Sequence, residues 1–194
     1  MLRILHCDSV GGASGDMILA ALIDLGADPQ AIADHVRKLR VDPFELVAEP
    51  CTRDGIRGTR VKVNLPSEHA GPHHHAPHRD LASIAGLLEE SGLGTPIRRL
   101  AMSTFERLAE AEAAVHGTTP DHVHFHEVGA TDAILDIVGV CVGLRELGVQ
   151  SVVCSPIPPG SGTVQCEHGL MPVPAPATAR LLQGVPLAAS NEPG

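Results

Sequence analysis

A chain of 194 residues, 43 % hydrophobic and 19 % charged, is long enough to bury one sizeable core and too apolar to be disordered. A formal net charge of −9, three phenylalanines and no tryptophan or tyrosine exclude the basic footprint and the stacking platforms of nucleic-acid binding. No apolar run reaches the roughly 18 residues of a membrane span, and the start lacks the long apolar core of a secretion signal, so the expected location is cytoplasmic, with no membrane partner.

The elements follow from local pattern. Residues 2–7, "LRILHC", read as a buried strand, and the glycine-rich "DSVGGASGD" leads into "MILAALIDLG", an apolar helix closed by Gly26. Pro29 opens a helix over 29–39. Asp54 and Gly55 separate two β-leaning runs, which predicts a hairpin at 44–65. The segment 66–80, "PSEHAGPHHHAPHRD", has three prolines and no large apolar residue, which predicts a mobile loop. Helices resume at 80–91 and at 96–115, the latter capped by Thr95 and stopped by Gly117. Residues 122–126 and 151–157 suit strands, 131–147 a helix buried all round, "TVQCEHGLMPVP" an extended segment, and Pro176–Gln183 a last helix. The architecture predicted is α/β: one domain over 1–194, with a small mixed sheet, covering helices and the hairpin as an excursion. The alternative is α+β. Five cysteines without a C-x-x-C pair fit reduced thiols, with Cys141 in the core.

The chemistry concentrates in "HVHFHEVGATD", residues 122–132. Imidazoles at every second position of a strand share a face, and neighbours can converge on one ion. His124, His126 and Glu127 are the candidate metal ligands. Asp132 and Asp136 lie four apart on the following helix, and a carboxylate buried there needs a partner, for which a metal is one candidate and a backbone amide another. The turn at 8–16 offers Gly11, Gly12, Ser14 and Gly15 at a helix start, where free amides attract phosphate, with Asp8, Ser9 and Asp16 beside them. Carboxylates beside a phosphate call for a bridging divalent cation. The loop histidines, His73, His74 and His75 among them, suit loose capture of Ni²⁺ or Zn²⁺. Cys166 and His168 form a weaker pair.

Several phrases in order, "GGASGDMILAALIDLG", "HRDLASI", "RLAEAEAAVHG", "VHFHEVGATDAILDIVG" and "SPIPPGSGTVQCEHGLMPVPAPATARLLQGVP", resemble the LarC family of nickel insertion proteins across almost the whole chain. The resemblance implies an enzyme of the lyase class, a cyclometallase that inserts nickel into the pyridinium bisthiocarboxylate mononucleotide to form the nickel-pincer cofactor of lactate racemase. It implies dependence on CTP with Mg²⁺ or Mn²⁺, bound by a C-terminal domain that this chain lacks and would need as its partner. Under it, nickel passes from the loop histidines to His124, His126 and Glu127 with Asp136 beneath, and the phosphate of the mononucleotide rests on the turn formed by Asp8, Ser9, Gly11, Gly12, Ser14 and Gly15. Glu127, Asp132 and Asp16 are the candidate acid–base groups for carbon metallation. The rival expectations are a nickel storage or delivery protein and a metal-dependent phosphohydrolase. A homo-oligomer is compatible with the apolar stretch at 133–144.

Overall fold

The computed structural model describes residues 2–65, 79–125, 131–166 and 169–189, with His124 described by its backbone alone. The chain divides into two compact units, one of Ser14–Phe105 with His124–Gly148 and one of Met1–Ala13 with Glu106–Val123 and Val149–Gly194.

In the unit that begins at Ser14, helix α1 (Gly15–Asp24) ends as its sequence predicts. Gly26 takes φ +106, its N–H donates to Ile23 O at 2.9 Å and that of Ala27 to Leu22 O at 3.0 Å, a Schellman ending that only a residue without a Cβ adopts cheaply. Helix α2 (Pro29–Arg37) starts with Pro29 at its first turn and Asp28 accepting from the Gln30 N–H at 2.9 Å. The hairpin is present as β2 (Glu45–Arg53) and β3 (Ile56–Asn64). Asp54 and Gly55 both have positive φ, 49° and 82°, as a two-residue turn matched to the strand twist requires. Val61 is buried and Lys62 points out to Glu49, the expected alternation.

Helix α5 (Thr131–Glu146) is the centre of this unit, packed against α1 and α2. Leu19, Leu22, Ile32, Val36, Ile134, Leu135 and Val138 are each at most 1 % exposed, and burial of such side chains is worth about 1.5–3 kcal/mol each. Close approach is possible because α5 carries glycines at the contact: a Cβ on Gly139 would lie 3.3 Å from Leu19 and one on Gly143 3.2 Å from Leu22. Cys141 is buried here, and burial pushes its thiol up to about 12.

Several boundaries differ from the sequence expectation. Arg79 and Asp80, assigned to the loop, form β4 (Arg79–Asp80), antiparallel to β5 (His124–Phe125), and Asp80 also caps α3 (Leu81–Glu90). The strand expected at 122–126 begins at His124, because Pro120–His122 is a 3₁₀ turn. Proline offers no ladder donor, the His122 N–H goes to Thr119 O at 2.9 Å, and its ring Nδ1 meets the Thr119 hydroxyl at 2.8 Å. His122 therefore lies before the strand, in the turn.

Helix α4 (Thr95–His116) contributes its residues to Phe105 here and the rest, from Glu106, to the second unit. That unit holds β1 (Ile4–Cys7) parallel to β6 (Ser151–Cys154), the antiparallel pair β7 (Thr163–Cys166) and β8 (Gly169–Pro172), and α6 (Pro176–Leu181). The α/β expectation holds, with parallel and antiparallel pairings spread, among the described residues, over four two-stranded sheets. β1 is not the buried strand expected: among the described residues it has a neighbouring strand on one edge only, and Ile4 is 53 % exposed. β6 stops three residues short of 157 because Pro156 cannot donate to a ladder. α6 stops at Leu181, after which the Gln183 N–H bonds three residues back to Arg180 O at 3.1 Å. Among the described residues no helix is long and apolar enough to cross a membrane.

Candidate functional site

The start of α1 and the first turns of α5 meet through a single aspartate. Ser14 has the extended backbone of an N-cap, but its hydroxyl donates to the Asp16 carboxylate instead of accepting from an amide, and the same carboxylate oxygen accepts from the Met17 N–H at 2.9 Å. The Asp16 N–H donates to the carboxylate of Asp136. A Cβ on Gly15 would sit 2.6 Å from both Cβ and Oδ2 of Asp136, so this glycine is the space into which Asp136 fits. Gly15 and Asp136 were read separately from the sequence; the fold makes them one contact.

Asp16 and Asp132 flank Asp136. Asp132 is exposed at the start of α5, accepting from the Ala133 N–H at 2.9 Å. Burial first, then the charges of Asp16 and Asp132, push the Asp136 carboxyl up to about 6, against the opposing pull of the hydrogen bond from Asp16. Its proton is therefore exchangeable near neutrality, which suits either an acid–base group or a carboxylate awaiting a cation. The three carboxylates repel an anion at this helix start, and the Asp16 amide already has an acceptor. A phosphate seated here requires a cation between it and the acids.

A second network holds the first residue of α5. The buried Thr131 hydroxyl donates to Asp42 Oδ2 at 2.6 Å, and the Arg79 guanidinium meets the same oxygen at 3.4 Å. Arg79 is the register partner of Phe125, and Asp80 that of His124. Asp42 thus ties the strand carrying His124 to the helix carrying Asp132 and Asp136. Local pattern gave neither Asp42 nor Arg79 a role, since one precedes Pro43 in a connection and the other lies near the end of a polar run. Replacing Thr131 with the near-isosteric valine is expected to cost roughly 1 kcal/mol, because it removes one hydroxyl donor from a half-buried carboxylate, whereas serine at that position retains stability; thermal melts of the two variants check this.

In the second unit, Asp8 is exposed and the Ser9 N–H donates to the Ser155 hydroxyl at 3.2 Å. Gly12 takes φ +90, and the Gly11 and Gly12 amides have no acceptor among the described residues. Cys7 and Cys154 are register partners at the carboxyl ends of β1 and β6. Burial and the neighbouring Cys154 raise the Cys7 thiol. A cleft of about 310 Å³ is lined by Arg107, Glu110, Ala111, Arg180 and Leu181, none of them a residue singled out from the sequence.

The sequence profile described as "Nickel insertion protein" matches residues 5–193. This chain belongs to the nickel insertion protein family. It is 51 % identical over 182 residues to the pyridinium-3,5-bisthiocarboxylic acid mononucleotide nickel insertion protein of Akkermansia muciniphila, covering 93 % of this chain and 45 % of that protein. It is 45 % identical over 198 residues to the protein of the same description from Thermotoga sp. (strain RQ2), covering 96 % of this chain and 48 % of that one. The chain thus spans about half the length of the curated relatives it matches. No solved structure matches it.

For a member of the nickel insertion family the pertinent donors are imidazoles, thiols and carboxylates. Among the described residues no three of them are placed to hold one metal ion. His126, Glu127, His73, His74, His75 and His168 lie outside the described residues, and His124 is placed by its backbone in β5. Within one unit the fold brings Ser14, Gly15, Asp16, Asp132 and Asp136 together and fixes the His124 strand to the same helix through Asp42.

Proposed function

We propose that this chain handles nickel during its insertion into pyridinium-3,5-bisthiocarboxylic acid mononucleotide, the compound named in its relatives. The observation that carries the reading is the position of Asp136: a carboxyl raised to about 6 by burial and by two neighbouring acids is a group whose proton a divalent cation would replace. His124, His126 and Glu127 are the proposed ligands that receive Ni²⁺ from the loop histidines 73–75, with Asp136 beneath. Thiocarboxylate sulfur is softer than imidazole, which gives transfer from protein to substrate its direction.

Carbon metallation also requires a base for the ring proton. Glu127 and Asp132 are assigned that role, with Asp16 holding the proton balance of Asp136. The phosphate of the mononucleotide is assigned to the turn of Asp8, Ser9, Gly11, Gly12, Ser14 and Gly15, where the amides of Gly11 and Gly12 are available.

CTP with Mg²⁺ or Mn²⁺ has no residues assigned to it in this chain, whose glycine turn is given to the phosphate of the mononucleotide. We assign it to the further half that the relatives possess, the proposed partner of this chain. The product is assigned to the lactate racemase system as its nickel-pincer cofactor, the activity to the lyase class, and the location to the cytoplasm, where free cysteines stay reduced.

The test is nickel binding by a chain lacking residues 67–78, which retains the structural Arg79, with and without His124→Ala and His126→Ala together. The double variant is expected to lose affinity by more than about tenfold, given that removal of even an outer-shell partner costs a metal site that much. Unchanged stoichiometry and affinity would remove this site.

A further inference from the structure

We propose that Cys7 and Cys154 form a two-thiolate docking site for a thiophilic divalent cation of the nickel or zinc kind, separate from the histidine–aspartate site. The choice of ion rests on the nickel reading above; the site itself rests on geometry. β1 and β6 run parallel with Cys7 opposite Cys154. Lateral neighbours in a sheet are about 4.8 Å apart and project to the same face, so the two sulfurs share one side of the strand pair. Burial, and then the neighbouring Cys154, raise the Cys7 thiol, in keeping with the register. Ser9, two residues beyond Cys7, brings its hydroxyl to 3.8 Å from the Cys154 sulfur, while His6 alternates to the opposite face.

The pair also stands where such sites belong. Open α/β sheets take ligands at the carboxyl ends of their parallel strands, and both cysteines are the last residues of theirs. Cys154 is exposed and Cys7 half-buried, so an ion has access from solvent. On binding, each thiol releases its proton and each sulfur donates a lone pair to the cation, so two protons leave per ion and no oxidant is involved. Two sulfurs fill half of a four-coordinate shell. The described residues offer no third ligand of the histidine, cysteine or carboxylate class, which leaves positions for water or for an incoming sulfur ligand.

Nickel alone, added to the full chain under argon with a phosphine reductant, is expected to produce a near-ultraviolet sulfur-to-nickel charge-transfer band that saturates at about one ion per chain and to release two protons per ion. Imidazole and carboxylate ligands give no such band. Cys154→Ser and Cys7→Ser are expected to abolish it, while Cys51→Ser, Cys166→Ser and the double variant His124→Ala/His126→Ala retain it. Circular dichroism checks folding, and the exposed Cys154 decides the matter if Cys7→Ser does not fold. A wild-type chain with no band, or a band unchanged in folded Cys154→Ser, overturns the site. Nickel binding that depends on His124 and His126 but shows no band sinks this site alone; no nickel binding of any kind sinks both.

Discussion

Replacement of Gly15 by alanine is expected to lower stability by about 3 kcal/mol, the upper end of the cost of forcing an extra methyl into a packed site. The new Cβ would meet Asp136 at 2.6 Å, and the nearest atoms include the Cβ of that residue, which is anchored to α5 and cannot swing away. α1 and α5 must separate, and Asp136 then loses the Asp16 amide. The packing of Leu19 and Leu22 against Gly139 and Gly143 loosens with them, because all lie on one helix contact. At roughly 2–4 °C per kcal/mol for a chain of this size, the midpoint of thermal unfolding falls by about 6–12 °C. Gly11→Ala is the control: a Cβ there meets nothing within 4 Å, and its midpoint stays near wild type. Equal melts for Gly15→Ala and wild type would show that the two helices do not meet as described.

Asp136→Asn is expected to act in the opposite direction, with a pH dependence that identifies its cause. The carboxyl titrates at about 6 in the fold against an ordinary value of 3.8. Above pH 6 the ionised form is present in both states and is penalised in the folded one. As pH falls through 6 the folded chain takes up a proton that the unfolded chain does not yet hold, so wild-type stability rises and the gain is complete below 3.8. Asparagine resembles the protonated acid at every pH and keeps an oxygen for the Asp16 amide. In the presence of a chelator the variant should be more stable at pH 7.5 by about 1–2 kcal/mol, a figure reduced from the full shift because water screens the accessible side of the group. The advantage shrinks through pH 6 and vanishes near pH 4. A difference that stays constant over that range would assign the effect to packing. Added Ni²⁺ is expected to raise the wild-type midpoint at pH 7.5 more than that of the variant, since only the aspartate gains a counter-charge.

What the sequence determined is whatever depends on neighbours along the chain. The Schellman glycine at 26, the proline start of α2, the Asp54–Gly55 turn and the long α4 were legible because caps, turns and periodicity are set by a few consecutive residues. So was the nickel family, since its phrases are strings in fixed order and the profile match extends over residues 5–193. Local pattern misled where a short apolar run has no record of its cover: "LRILHC" reads as core, yet β1 has one neighbouring strand among the described residues and Ile4 is half exposed.

Tertiary structure alone decided which distant groups share a field. Gly15 and Asp136, Asp42 with Thr131 and Arg79, and Cys7 with Cys154 are each separated by tens of residues or more, and no periodicity links them. Their chemistry arises from the pairing itself: an aspartate is ordinary until a helix start and two further acids surround it, and a thiol is one of five until a parallel register sets another beside it. Electrostatic and ligand interactions act over a few ångströms of space, and that distance is fixed by packing rather than by position in the chain.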